Sequence, residues 1–152
     1  ANTYTQIYIH IVFAVKGRQN LIHHDHKVEI HKYISGIISK RGQKPLAVHC
    51  MPDHVHILIG MKPDICISDL TRDIKAGSSG YINKQGWVNQ KFQWQLGFGA
   101  FTYSHSHISR VINYINNQEA HHWGRSFRDE YLALLRRYRV AFKDKYLYEF
   151  ID

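Results

Sequence analysis

Two apolar runs, PLAVHCM (45–51) and HVHILIGM (54–61), are separated by Pro52 and Asp53 alone. So short a connection between strand-like segments leaves room for a hairpin. Before it, TQIYIHIVFAV (5–15) alternates with period two. Ile7, Ile9, Ile11 and Phe13 face one side, and Gln6, Tyr8, His10 and Val12 the other. KGRQN then reads as a basic turn. Residues 25–42 read as a helix, with Val28, Ile30, Tyr33, Ile34, Ile37 and Ile38 on one stripe and Gly42 as its stop. After the hairpin, residues 67–86 read as a helix capped by Ser68 and weakened by Gly77 and Gly80. A loop then leads to a short strand over 100–103. Two helices close the chain, 104–122 and 126–139. Ser126 caps the second, Asp129 and Glu130 fill its first turn, and Leu132, Leu135 and Tyr138 form its apolar stripe. The order βαββαβ predicts an α+β fold: a ferredoxin-like or RNA-recognition-like antiparallel sheet with helices on one face and the other face free, plus C-terminal helices.

The 152 residues suit a single domain, 1–152, and 44% hydrophobic residues suffice for a core. No apolar run is long enough to span a bilayer, and ANTYTQIYIH has no secretory pattern. Cys50 and Cys66 have neither metal-site nor redox spacing and read as buried thiols in a reducing, cytoplasmic setting. A formal net charge of +8, with 12 histidines besides, points to a polyanionic partner, nucleic acid first.

Within HVHILIGM, alternation puts His54, His56 and Leu58 on one side and Val55, Ile57 and Ile59 on the other. The Val/Ile side is the core face, so the two imidazoles stand together on the open face. Imidazoles at i, i+2 can reach one metal ion. Spacing alone favours the plainer reading, two partly exposed histidines in a histidine-rich chain. A metal needs a third ligand, and the 104–122 helix offers candidates. Ile108, Val111, Ile112 and Ile115 form its core stripe. Tyr114 and Gln118 stack at i, i+4 on one flank, with His107 and His121 beside them.

Together these residues resemble a known family. Asp53-His54-Val55-His56 looks like the histidine–hydrophobic–histidine motif of the single-tyrosine transposases of small bacterial insertion sequences, with their REP-associated relatives. WQLGFGAFTYSHSHISRVINYINNQEAHH is similar to the segment leading into that family's catalytic helix, and Tyr114-x-x-x-Gln118 fits its tyrosine–glutamine pattern. Tyr103 is the competing tyrosine, at the helix entry. The resemblance covers essentially the whole chain.

It implies a metal-dependent transposase that cleaves and rejoins single-stranded DNA at insertion-sequence ends. Tyr114 would be the nucleophile, forming a 5′-phosphotyrosine link. His54, His56 and Gln118 would hold Mg²⁺ or Mn²⁺, and histidine ligation tilts the chemistry towards Mn²⁺. No nucleotide cofactor is needed, because the covalent link keeps the phosphodiester's energy. The proton acceptor stays open between His107, His121 and water on the metal. The implied partners are hairpin-bearing single-stranded DNA and a second copy of the chain in a homodimer, with no membrane involved. Lys16, Arg18, Arg41, Lys44, Arg72, Lys75, Lys84 and Lys91 are candidate phosphate contacts, and Trp87, Phe92 and Trp94 candidate stacking rings. The alternatives are a domesticated nickase of the same chemistry, a replication initiator or relaxase domain, and a non-catalytic single-strand binder. The last would carry aromatic residues where His54 and His56 stand.

Overall fold

The computed structural model describes residues 2–121 and 126–141. They form β1 (Ile7–Ala14), α1 (Lys27–Lys40), β2 (Lys44–Met51), β3 (His54–Met61), α2 (Ile67–Gln85), β4 (Gly99–Thr102), α3 (Ile108–Asn116), α4 (Gln118–His121) and α5 (Phe127–Arg137). The sheet is antiparallel in the order β2-β3-β1-β4, as βαββαβ connectivity in this fold requires. Among the described residues no helix is long and apolar enough to cross a membrane.

The first face is the apolar one. Ile11, Phe13, Val55, Ile57 and Ile59 are buried in one cluster with Ile30, Ile34 and Ile38 of α1 and Leu70, Ile74 and Ile82 of α2. Each such side chain stabilises the fold by ~1.5–3 kcal/mol. Helix α2 differs from expectation at both Ser68 and its glycines. Its N-cap is Cys66, whose carbonyl accepts from Leu70 N–H, so Ser68 lies inside the first turn. Gly77 has a packing reason. A Cβ there would lie 2.7 Å from Ile37 Cδ1, so the missing side chain lets α1 and α2 meet. Cys50 is buried as expected, whereas Cys66 is exposed.

The second face is not free. It carries Tyr8, His10 and Val12 of β1, His54, His56 and Leu58 of β3, and Phe101 of β4, aligned by cross-strand pairs such as Val12 with His56. The C-terminal helices cover it. Ile108, Val111 and Ile115 of α3 pack on Leu58 and Ala47. From α5, Phe127 stacks on the His54 ring at 4.0 Å and Tyr131 lies against Gly99. His54 and His56 are therefore buried, not exposed on an open face. Two helix expectations change with them. The 104–122 helix breaks at Asn117 (φ −112°, ψ 34°), separating α3 from α4. The buried stripe of α5 is Phe127, Glu130, Tyr131, Leu134 and Leu135. Leu132 is half-buried at its margin, and Tyr138, at the C-cap, packs against Phe101 and Tyr103.

Strand β2 is an edge of the sheet. The Cys50 N–H donates to His31 Nε2 of α1 at 2.8 Å. One turn earlier on α1, Lys27 pairs with Glu119 of α4, and Glu119 Oε1 also meets His49 Nε2 of β2 at 2.8 Å. These contacts tie the helices of both faces around the strand.

Two outcomes follow. Gly99→Val places a branched side chain where a Cβ already meets the Tyr131 ring at 2.8 Å. It should destabilise the protein by ~1–3 kcal/mol, read from urea denaturation midpoints. Burial, aided by His49 and Lys27, lowers the His31 pKa to about 4. The unfolded chain therefore binds the extra proton first. The His31 contribution is complete above about pH 6.5 and is lost as pH falls towards about 4. A His31→Gln variant, whose amide oxygen can still accept from Cys50, should lose stability less steeply across that window.

Candidate active site

The site is assembled at the start of β3. Asp53 is held there by its backbone carbonyl, which accepts from Val15 N–H at 2.8 Å, and by Arg18 Nε, 3.3 Å from Asp53 Oδ2. Its other oxygen, Oδ1, lies 2.7 Å from His54 Nδ1. That bond places the proton on Nδ1 and leaves the Nε2 lone pair for a ligand. His56 Nδ1 meets His10 Nε2 at 2.8 Å, and His10 Nδ1 meets the Tyr103 hydroxyl at 3.2 Å. Burial, helped by the His56 neighbour and partly offset by Asp53, lowers the His54 pKa to about 4. Burial and His56 hold His10 well below its usual value too. His54 and His10 are therefore neutral at pH 7, and neutral is the form in which imidazole ligates a metal.

Glu130 sits opposite the histidines. Its side chain is 2% exposed, with Oε1 2.9 Å from His56 Nε2 and 3.7 Å from His54 Nε2. Its Oε2 accepts from the Tyr114 hydroxyl. Tyr114 is half-buried, its ring edge-on to His56. Gln118 is fully buried at the start of α4. Its Nε2 donates to the Tyr114 carbonyl at 3.1 Å, while its Oε1 has no hydrogen-bond partner among the described residues. A buried acceptor without a donor is costly, and a cation would relieve it. Two imidazoles and a carboxylate whose donor atoms lie within 4.8 Å of one another suit a divalent cation, with this amide oxygen as a further candidate donor.

A pocket of about 390 Å³ reaches Glu130 and Tyr114 of this group and is lined also by Tyr103, His107, Arg110 and Arg137. Tyr103 and Tyr114 both reach it but differ in state. Burial and a Tyr138 hydrogen bond raise the Tyr103 pKa, and its hydroxyl is engaged with His10. His107 lines the pocket with Nδ1 directed to Ser104 Oγ, and the His121 side chain lies outside the described residues. The acceptor that the Tyr114 hydroxyl touches is Glu130.

The candidate DNA contacts divide. Lys16, Arg72, Lys75 and Lys91 line one groove of about 1200 Å³ between α2 and the loop before β4. Lys75 donates there to the Gln95 and Gly97 carbonyls, and burial lowers its pKa to about 8. Arg18 serves Asp53, Arg41 pairs with Asp73 at 2.8 Å, and Lys44 and Lys84 are exposed elsewhere. Phe92 and Trp94 are core rings, with Trp94 Nε1 donating to Ser78 Oγ, and Trp87 stacks on His26 at 4.0 Å. Sequence reasoning missed His10, Glu130, Arg110 and Arg137. His10 shared the alternation of β1, and Arg110 lies one turn before Tyr114, so both carried a signal. Glu130 reads as a solvent-facing first-turn charge until the rotation of α5 is known.

Comparison with known proteins relates the chain to transposases. The ISDra2 transposase TnpA of Deinococcus radiodurans is 22% identical over 120 residues, spanning 74% of this chain and 84% of that protein. A crystal structure assigned to a transposase of Deinococcus radiodurans R1 superposes with a TM-score of 0.59 at 22% identity, over 78% of this chain and 95% of that one. A REP-associated tyrosine transposase bound to a REP hairpin also gives 0.59, at 16% identity over 81% of this chain and 73% of that one. The profile of the family "Transposase IS200 like" matches residues 3–118, and the chain belongs to that transposase family.

Proposed function

We propose that the chain is a single catalytic domain, working in the cytoplasm, that cleaves and rejoins single-stranded DNA through a 5′-phosphotyrosine link. Tyr114 is the nucleophile, and His54, His56 and Gln118 are ligands of Mg²⁺ or Mn²⁺. The observation that carries this reading is the convergence of the Tyr114 hydroxyl and both histidines on one buried carboxylate, Glu130.

A divalent cation bound there would stabilise the negative charge that develops on the scissile phosphate. Tyr114 Oη forms the new bond to phosphorus as the bond to the 3′-oxygen breaks, leaving a 3′-hydroxyl. The phenol loses its proton during attack, and Glu130 Oε2 is the acceptor it already touches. Attack by another 3′-hydroxyl reverses the step and joins a new strand. Arg110 and Arg137, at the pocket mouth, give the flanking phosphates a positive wall. The resemblance implies a homodimer and a hairpin-bearing substrate. Within the chain the Tyr114 hydroxyl already meets Glu130, and on that contact Tyr114 is proposed to act in cis.

Incubation with hairpin-bearing single-stranded DNA and Mn²⁺ should give a covalent protein–DNA adduct on a denaturing gel. Tyr114→Phe should abolish it, whereas Tyr103→Phe should retain it. An adduct surviving in Tyr114→Phe would move the nucleophile elsewhere. Mixing His54→Ala with Tyr114→Phe protein should restore nothing, and restored activity would assign the tyrosine to the partner's site. Arg110→Ala and Arg137→Ala should each flatten the salt dependence of single-strand binding by about 0.7 in log–log slope.

A further inference from the structure

We infer that Glu130 is itself a ligand of the divalent cation, so that the chain offers a two-histidine, one-carboxylate donor set, and that the same carboxylate fixes the nucleophile beside it. This rests on the metal-dependent reading above.

Geometry supports the assignment first. One nitrogen from each of His54 and His56 and one oxygen of Glu130 lie within 4.8 Å of one another, and all three residues are buried. The two histidine nitrogens lie 2.9 and 3.7 Å from Glu130 Oε1. Ligands at ~2.1 Å from one ion and at right angles to each other are about 3 Å apart. The two separations from Glu130 are close to that spacing, and the two histidine nitrogens lie within 4.8 Å of each other.

The position of Glu130 is over-determined by packing. Phe127 stacks on His54, and Tyr131 lies against the backbone of Gly99. Glu130 lies between them on the buried stripe of α5, one turn from Phe127. A carboxylate in so dry a place is costly unless it is paired or coordinates a metal. Its Oε1 lies against His54 Nε2 and His56 Nε2, the nitrogens of the other two ligands.

The second carboxylate oxygen makes the arrangement more than a binding site. With Oε1 towards the histidines and Oε2 accepting from Tyr114, one rigid side chain sets the nucleophile's position relative to the cation. The carboxylate also answers a mismatch in the donor chemistry. Two imidazoles and an amide suit Mg²⁺ poorly, and an anionic oxygen is the donor that hard cations prefer. Removing it should weaken Mg²⁺ more than Mn²⁺.

Direct Mn²⁺ and Mg²⁺ titration of DNA-free protein, by calorimetry and Mn²⁺ electron paramagnetic resonance, tests the assignment. Glu130→Gln should weaken Mn²⁺ binding by at least about tenfold and Mg²⁺ binding further. His54→Ala should lose both. Unchanged affinity in Glu130→Gln, with affinity lost in His54→Ala, would overturn the role of Glu130 and leave the transposase reading standing. Failure of the parent to bind either ion would remove the metal-dependent reading as well. A further measurement needs no variant to fold: electron–nuclear double resonance on Mn²⁺-loaded parent carrying ¹³C-labelled glutamate carboxylates. A coupled carboxylate carbon is expected, and its absence in the loaded protein would equally overturn the assignment.

Discussion

The antiparallel pairing of β1 with β3 at the middle of the sheet is the contact on which the site depends. Its register sets Val12 beside His56 and Ala14 beside His54. A slip of one residue would turn both imidazoles into the isoleucine-lined core and put Val55 in their place. Apolar burial on the first face opposes such a slip, because any odd shift would turn Ile57 and Ile59 out of the core they share with Ile11 and Phe13. The chemistry on one side of the sheet is thus held in place by packing on the other.

Covering the second face with helices imposes a different requirement. Polar groups removed from water must find partners. The hydrogen bonds of Asp53 to His54, His10 to His56 and Tyr103 to His10 meet that need, and each restricts where an imidazole proton can sit. Dryness also makes the group reactive, since charges in a low-dielectric pocket interact more strongly than in water. Stability and chemistry draw on the same burial.

Elements with a simple period were legible in the sequence. The alternation of 5–15, the two-residue connection at Pro52 and Asp53 and the stripe of α1 needed no tertiary information. The pairing of His54 with His56 and the choice of Tyr114 followed from the same periods and from the resemblance. What could not be read was decided between elements. Gly77 looked like a flaw because Ile37, which fills its space, lies 40 residues away. Burial of the histidines depended on helices whose docking no local pattern specifies. Glu130 sits beside an ordinary N-cap, and only the stacking of Phe127 on His54 turns it inward. Trp94, offered as a stacking ring, packs edge-on to Phe13 at 4.8 Å, a contact spanning most of the sheet's connectivity.

The contacts around β2 bear on how this protein meets others of its kind. An edge strand is a template for another chain's strand, and proteins that leave it bare risk joining sheet to sheet. Here one outward N–H, that of Cys50, is already taken by His31, and the Lys27–Glu119 pair joins helices from the two faces beside it. An incoming strand would have to displace the imidazole and part that pair. The protein is thereby guarded against sheet-to-sheet stacking along this edge.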